Sequence, residues 1–490
     1  MPRGITIVGL GPGAPDLLTT EAQRVLQSAE EIYLRTKRHP TVEALALSAK
    51  IHSFDDIYER AATFEEVYAE IASKIVDLGR RAEGVIYAVP GHPLVGEASV
   101  QRILVLAEQV GLPVRIVAGL SFIEPVCTKL KLDPLNGLQL ADATVLAMSH
   151  YPAFNPDLPL LIGQLYSRDL AADVKLALMM IYPDDHLVTV VQAAGTEMEM
   201  LSTMPLYELD RCTLLDHLTS LYVPPLAQPG SIATFQEVVA HLRAPEGCPW
   251  DREQTHRSLR PFLLEETYEV LQTLDSEDLD SLKNELGDLL LQVLLHTQIA
   301  IEQDEFKMAD VVSSIVAKLK RRHPHVFGQM HVSSAQEVLI NWERIKSEER
   351  AVRNLGEENY GAAGLLTDIP SSLPALARAQ ALQRRVERVG LDWPNVDRVW
   401  SKVEEGWNEL REVRTEAVQE AKLGDLLFSL VSLARWMHLD AESALREAIA
   451  RFEQRVREIE RKCAEGGQQL QDLDASEWER LWSDTKNNTG

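Results

Sequence analysis

Five carboxylates in two short clusters carry most of the chemistry this sequence can do. Glu265, Glu266 and Glu269 fall in Glu-Glu-Thr-Tyr-Glu, and Glu285 and Asp288 follow in Glu-Leu-Gly-Asp-Leu-Leu. Residues three or four apart share a helix face, so each cluster presents its acids in one direction. The connection through Asp275–Ser281 is short enough to make the two helices antiparallel neighbours. Asp288 stands in an apolar run that reads as core, where an unpaired carboxylate is costly or is forced neutral. A hard divalent cation relieves both that burial and the mutual repulsion of the acids. Oxygen-only ligands select Mg²⁺ or Mn²⁺ over zinc. For Glu265 and Glu266 alone, a solvated acidic helix face explains as much.

The acidic hairpin occurs twice. Leu286-Gly287-Asp288-Leu289-Leu290 recurs as Leu423-Gly424-Asp425-Leu426-Leu427, with Glu405-Gly406-Trp407-Asn408-Glu409 upstream. In the second copy Gly406 stands for Glu266 and Lys422 for Glu285. A cation site loses affinity when one ligand is deleted and another becomes a positive charge. The first copy is therefore expected to be catalytic and the second mainly structural, with weak binding left at Glu405, Glu409 and Asp425.

Around the first hairpin lie Cys248-Pro249-Trp250-Asp251 and the densest basic run, Lys318, Lys320, Arg321, Arg322 and His323. Asn341-Trp342-Glu343 leads on to Lys346. Cations beside a divalent metal suit a polyphosphate, and an indole suits a base. The competing readings are a helix end whose cations complement the dipole, and Trp342 as plain core.

The elements that must hold these residues differ between the two halves. The first is α/β: Ile5–Val8, Ile32–Leu34, Val85–Val89 and Val114–Val117 read as strands alternating with helices, hence a largely parallel sheet. Gly9-Leu10-Gly11-Pro12-Gly13, Pro90-Gly91-His92-Pro93 and Gly119-Leu120-Ser121-Phe122 follow three of them. Runs near Thr144–Met148, Leu176–Tyr182 and Val188–Gln192 suggest a second α/β lobe. Tyr222–Gly230 holds three prolines and is a linker. Beyond it the 3.6-residue period dominates and the chain is nearly all helix. The expected domains are 1–222, a linker 223–230, a first helical module 231–350 and a second 365–486, joined through polar Asn354–Gly364.

The 490 residues carry 49 Lys and Arg against 74 Asp and Glu, a net charge of −25. Such a surface repels nucleic-acid polymers and anionic membranes, and a small anion needs bound cations or a local basic patch. Cys127, Cys212, Cys248 and Cys463 are scattered, which fits neither a disulfide framework nor a zinc site. Met1-Pro2-Arg3 leads into a strand rather than a signal-peptide core, and no apolar run is long enough to span a membrane. A cytoplasmic location is expected.

The helical half resembles the MazG family of nucleoside triphosphate pyrophosphohydrolases. The likeness rests on Glu-Glu-x-x-Glu and Glu-x-x-Asp, Cys-Pro-Trp-Asp (248–251), Arg-Arg-His-Pro-His-Val-Phe-Gly (321–328), Asn-Trp-Glu (341–343) and Arg-Val-Gly-Leu-Asp-Trp-Pro (388–394). It implies hydrolysis of a nucleoside triphosphate to the monophosphate and pyrophosphate on Mg²⁺. Glu265, Glu266, Glu269, Glu285 and Asp288 are then its ligands or activators of the attacking water, one glutamate, not identified by spacing, taking the proton. It also implies substrate contacts from Trp250, Lys318, Arg321, Arg322 and Lys346, and a homodimer whose partner helps to form the site.

The three glycine-bearing turns of the first half resemble the tetrapyrrole (corrin/porphyrin) methylase family. This implies S-adenosylmethionine in a cleft between two α/β lobes, lined by Gly11, Gly91, His92, Ser121 and Gly195. His92 stands where that family more often has Asp. Gly9–Ala14 also satisfies a dinucleotide-binding pattern, but the helix begins only near Thr19 and Pro12 and Pro15 obstruct so tight a turn. The order of the two halves resembles that of YabN-like fusion proteins. The resulting expectation is a two-part enzyme, hydrolase plus methylase-like domain. A sensing role for the first half and a dimerisation scaffold for the second are the alternatives.

Overall fold

The computed structural model describes residues 4–44, 49–355, 366, 369–466 and 469–486. The chain divides into two compact units, Met1–Glu253 and Gln254–Gly490. The first is a two-lobed α/β domain and the second is helical throughout its described residues, so the multidomain expectation holds.

In the first lobe β1 (Ile5–Gly9), β2 (Glu31–Leu34), β3 (Lys50–Ser53), β4 (Val85–Val89) and β5 (Val114–Val117) form a parallel sheet in the order β3-β2-β4-β1-β5. Ile5, Ile7, Tyr87 and Val89 are fully or almost fully buried against Ile71, Ile75 and Ile103 of the covering helices. From the parallel neighbours β1 and β4 the chain crosses over to opposite sides, to β2 and to β5, and the carboxyl end between them is where such folds receive ligands.

The second lobe holds β6 (Gln139–Asp142), β7 (Leu160–Gly163), β8 (Leu187–Gln192), β9 (Met200–Pro205) and β10 (Thr219–Val223) in the order β6-β7-β10-β8-β9. Only β6 and β7 pair in parallel, so this sheet is mixed. Two of the three runs that marked the lobe are not strands. Thr144–Met148 lies largely in the helix Ala143–Ala147, because the Asp142 side chain accepts from the Thr144 N–H and caps it. Leu176–Tyr182 continues the helix Arg168–Leu178, capped by Ser167, into a turn.

The proline-rich stretch ends against this lobe. Asp157 accepts from the backbone N–H groups of Gly230 (2.7 Å) and Ser231 (3.1 Å) and from the Thr234 hydroxyl. Burial alone would raise its pKa; those bonds outweigh burial and pull it down to about 2. The helices Ile232–Arg243 and Pro249–Glu253 thus belong to the first compact unit.

In the second unit the helices Arg260–Asp275 and Leu279–Glu302 form the first acidic hairpin. Its turn is made by Glu277 in the left-handed region (φ 55°) and by Asp278, whose carboxylate accepts from the Ser281 N–H. Met308–Arg322 and Ala335–Leu355 follow. The second hairpin is Val396–Glu412 with Glu416–Trp436, and Arg446 reaches Asp275 of the first at 3.3 Å. Most of Asn354–Gly364, the expected connection between modules, lies outside the described residues.

Candidate active site

The first hairpin brings carboxylate oxygens of Glu266, Glu285 and Asp288 within 4.8 Å of one another. Glu269 lies beside them and hydrogen-bonds both Glu266 and Glu285. Glu265 is exposed and close enough to add to the repulsion on Glu266. Desolvation, then Asp288, Glu269 and Glu265 in turn, lift the Glu266 pKa above the ordinary glutamate range. Desolvation, Glu269 and Asp288 do the same to Glu285. Carboxylates driven toward protonation by one another fit a hard divalent cation, because it cancels the repulsion and accepts an all-oxygen shell. Glu266, Glu285 and Asp288 would hold it.

One premise fails. Asp288 is exposed in the single chain, and Leu286 beside it keeps 49% of its surface. Counting apolar residues in Leu286–Leu291 predicts core; the helix turns part of that run toward a face no other described element of this unit covers. The case for a cation rests on convergence of the acids rather than on burial.

The basic residues form a separate layer. Glu349 holds Arg321 and Arg322, each at 2.6 Å, and Arg322 and Lys346 lie over the Trp342 ring at 5.4 and 4.7 Å. The bond from Arg322 is the largest cause of a Glu349 pKa of about 2; burial acts against it, and the bond from Arg321 adds to it. Two of the cations expected to meet phosphate are thus engaged by an acid that sequence reading passed over, twenty-seven residues or more away along the chain. Trp342 is neither plain core nor an open platform, but half-buried between two cations. Lys318 is half-buried on the same helix as Arg321 and Arg322, and Trp250 is 53% exposed on a short helix of the other unit. A further pair went unpredicted: His256 Nδ1 and His296 Nδ1 lie 2.8 Å apart with rings within 5° of parallel. The rings are 5.1 Å apart centre to centre, and which nitrogen donates depends on the tautomer.

In the first unit, Gly11 and Gly91 exchange backbone hydrogen bonds (3.2 and 2.8 Å) across the β1–β4 edge. Gly91 has φ 66° and nothing within 4 Å of where a Cβ would stand. This open backbone fits close approach of a cofactor. Gly195 (φ 79°) is packed against Leu17 and Pro125 and donates to Glu199. The Ser121 hydroxyl is already given to Glu124 (2.7 Å), and His92 Nδ1 accepts from the Leu94 N–H, so these two shape their turns.

Two family models match the chain: tetrapyrrole (corrin/porphyrin) methylases over residues 4–210, and the MazG nucleotide pyrophosphohydrolase domain over residues 254–327. The protein YabN of Bacillus subtilis (strain 168) is 41% identical over 491 residues, covering 98% of both chains. This chain belongs to the YabN family. The helical half of this YabN-family protein is also 45% identical over 255 residues to the nucleoside triphosphate pyrophosphohydrolase of Escherichia coli (strain K12), covering 51% of this chain and 94% of that one. The corresponding Thermotoga maritima protein, named a nucleoside triphosphate pyrophosphohydrolase/pyrophosphatase MazG, is 40% identical over 255 residues, 51% of this chain and 95% of its own.

Proposed function

We propose that this YabN-family protein hydrolyses nucleoside triphosphates to monophosphate and pyrophosphate at the first hairpin, with Mg²⁺ or Mn²⁺. The convergence of Glu266, Glu285 and Asp288 carries the reading, and the E. coli and T. maritima relatives support it. A bound divalent ion supplies charge neutralisation at the phosphates and a more acidic water for attack on the α-phosphorus. Glu266, Glu285 and Asp288 orient that ion. Glu265 and Glu269, adjacent but outside the converging three, are left to take the proton of the attacking water. Lys318, Arg321, Arg322 and Lys346 would meet phosphate oxygens.

The active form would be a homodimer. The helix Met308–Arg322 buries no residue in the single chain and leaves Val311, Val312, Ile315, Val316 and Leu319 exposed, an apolar face that a second copy can cover. The module 365–486 would be structural. The unit spanning 1–222 would bind S-adenosylmethionine at its glycine turns, as a methylase or, since Asp is absent at His92, as a sensor for the hydrolase. No helix among the described residues is long and apolar enough to cross a membrane, and the working location would be the cytoplasm, without nucleic-acid polymers as partners.

Pyrophosphate release from a panel of triphosphates with Mg²⁺ tests the hydrolase. Silence across the panel would leave the helical half as a scaffold. Calorimetry with S-adenosylmethionine on the full chain tests the first unit, and absence of binding removes both methyl-donor roles.

A further inference from the structure

Unsatisfied hydrogen-bonding atoms gather in one part of the first lobe. Arg35 Nε, His39 Nδ1, Thr41 Oγ1 and Tyr58 Oη are buried and have no partner. Buried polar atoms in folded proteins are nearly always bonded, so such a group of exceptions marks a place where the chain expects something it does not itself supply. Arg35, His39 and Thr41 stand on the stretch leaving the carboxyl end of β2, and Tyr58 is on the helix Asp55–Arg60 that follows β3. The charge of Arg35 acts on both His39 and Tyr58, which places the three together. His39 engages the Gly11 backbone, so the cluster adjoins the β1–β4 edge where this fold class receives ligands.

The chemistry of the cluster is donor-rich. One terminal nitrogen of Arg35 donates to Glu97 at 2.8 Å, and Glu97 is only 4% exposed in its side chain. That bond fixes the guanidinium and leaves its Nε–H unspent. The Thr41 and Tyr58 hydroxyls add two more donors. His39 is 3% exposed, and burial followed by the Arg35 charge holds its pKa to about 4, so it is neutral at pH 7. The Arg35 side chain as a whole keeps 23% of its surface, while its Nε is buried.

We infer that Arg35, His39, Thr41 and Tyr58 form a binding site for a small molecule bearing an oxyanion, carboxylate or phosphoryl, held by the Arg35 Nε–H and the Tyr58 hydroxyl. It does not depend on the hydrolase, whose residues are in the other compact unit.

The test is titration calorimetry on the full chain in EDTA, with sodium phosphate, adenosine 5′-monophosphate and citrate as probes. At least one probe binds saturably to the wild type; a phosphate or monophosphate signal identifies a phosphoryl ligand, and citrate alone a carboxylate. Tyr58→Phe weakens that binding about five- to tenfold. Arg35→Lys keeps a cation for Glu97 but deletes the Nε–H, and weakens it more than about tenfold. Asp288→Asn leaves it unchanged. Tyr58→Phe also discards a hydroxyl without a partner, so its ligand-free melting midpoint does not fall below wild type. No saturable heat with any probe, unchanged affinity in both cluster variants, loss in Asp288→Asn, or a melting midpoint several degrees lower in Tyr58→Phe would each overturn the assignment.

Discussion

In the first hairpin Glu269 faces Glu285, a carboxylate against a carboxylate; in the second Glu409 faces Lys422 at 2.6 Å, and the charge is settled within the chain. The pairing survives although sixteen residues separate the first two and thirteen the second. A Cβ added at Gly406, where the first copy has Glu266, would meet Leu426 at 3.5 Å. Glu405 is held by Arg398 at 3.0 Å and by Lys402. One backbone arrangement therefore carries opposite electrostatics. In one copy the acids repel one another; in the other a lysine ammonium pairs with one of them. In the proposed reading, a catalytic module and its structural copy differ by where the positive charge comes from.

The largest break in that comparison should come from activity. Asp288→Asn is expected to cut pyrophosphate release by more than about a hundredfold, since loss of even an outer-shell partner costs tenfold or more at metal sites. Asp425→Asn should leave turnover unchanged. Activity that survives Glu269→Gln but disappears with Asp425→Asn would reverse the roles of the two copies.

The next effect is on folding and is confined to the second copy. Arg435, 6% exposed, holds Asp392 and Glu387 at 2.5 and 2.8 Å. Arg435→Ala should destabilise the chain by about 1–3 kcal/mol in thermal or urea unfolding, because it removes a buried side chain and leaves the partly buried Asp392 without its charged partner. Asp392 belongs to the Arg-Val-Gly-Leu-Asp-Trp-Pro signature, so this motif is explained by anchoring rather than by catalysis.

Exchange of the cation sharpens the comparison directly. Lys422→Glu with Gly406→Glu should create a second Mg²⁺ or Mn²⁺ site, read as a doubled stoichiometry in equilibrium dialysis. Without metal the same variant should melt lower, since like charges then face each other on adjacent helices. Unchanged stoichiometry would show that the second hairpin lacks the geometry as well as the ligands.

The smallest effect is a difference in pH response between the metal-free hairpins. Glu266 and Glu285 have folded-state pKa values raised above the unfolded ones. Their contribution favours the folded state at low pH and is lost as pH rises through the raised values. Glu405 is depressed, first by its bond from Lys402 and then, against burial, by the charges of Lys402 and Arg398. Its contribution is present above the unfolded value and is lost as pH falls through the lowered one. In EDTA, hydrogen exchange in Arg260–Asp275 should speed up as pH rises from the acid range toward neutrality, after correction for intrinsic rates, and exchange in Val396–Glu412 should slow. Matching trends in the two helices would remove the electrostatic distinction.

Much of this was legible in sequence because it is local. The acidic clusters follow from helical spacing, and the copy's degeneracy from reading Gly406 and Lys422 against Glu266 and Glu285. The change from α/β to helix follows from a change of period. Thr144–Met148 and Leu176–Tyr182 misled because short apolar runs suit strand and helix alike, and capping by Asp142 and Ser167 decided them. Glu349, Glu97 and the His256–His296 pair left no signal, since each meets its partner across 27 to 62 residues of chain.

Residue type and spacing alone pointed to a divalent cation at the acidic clusters and, with the basic run beside them, to a polyphosphate. Tertiary structure decided which three acids converge, that Asp288 faces outward, and that Arg321 and Arg322 are tied to Glu349. It also showed that Arg35 and Tyr58 hold hydrogen bonds in reserve. The reason is physical: helical periodicity sets which side chains share a face, but only packing sets what that face meets, and burial, pairing and pKa all depend on the second.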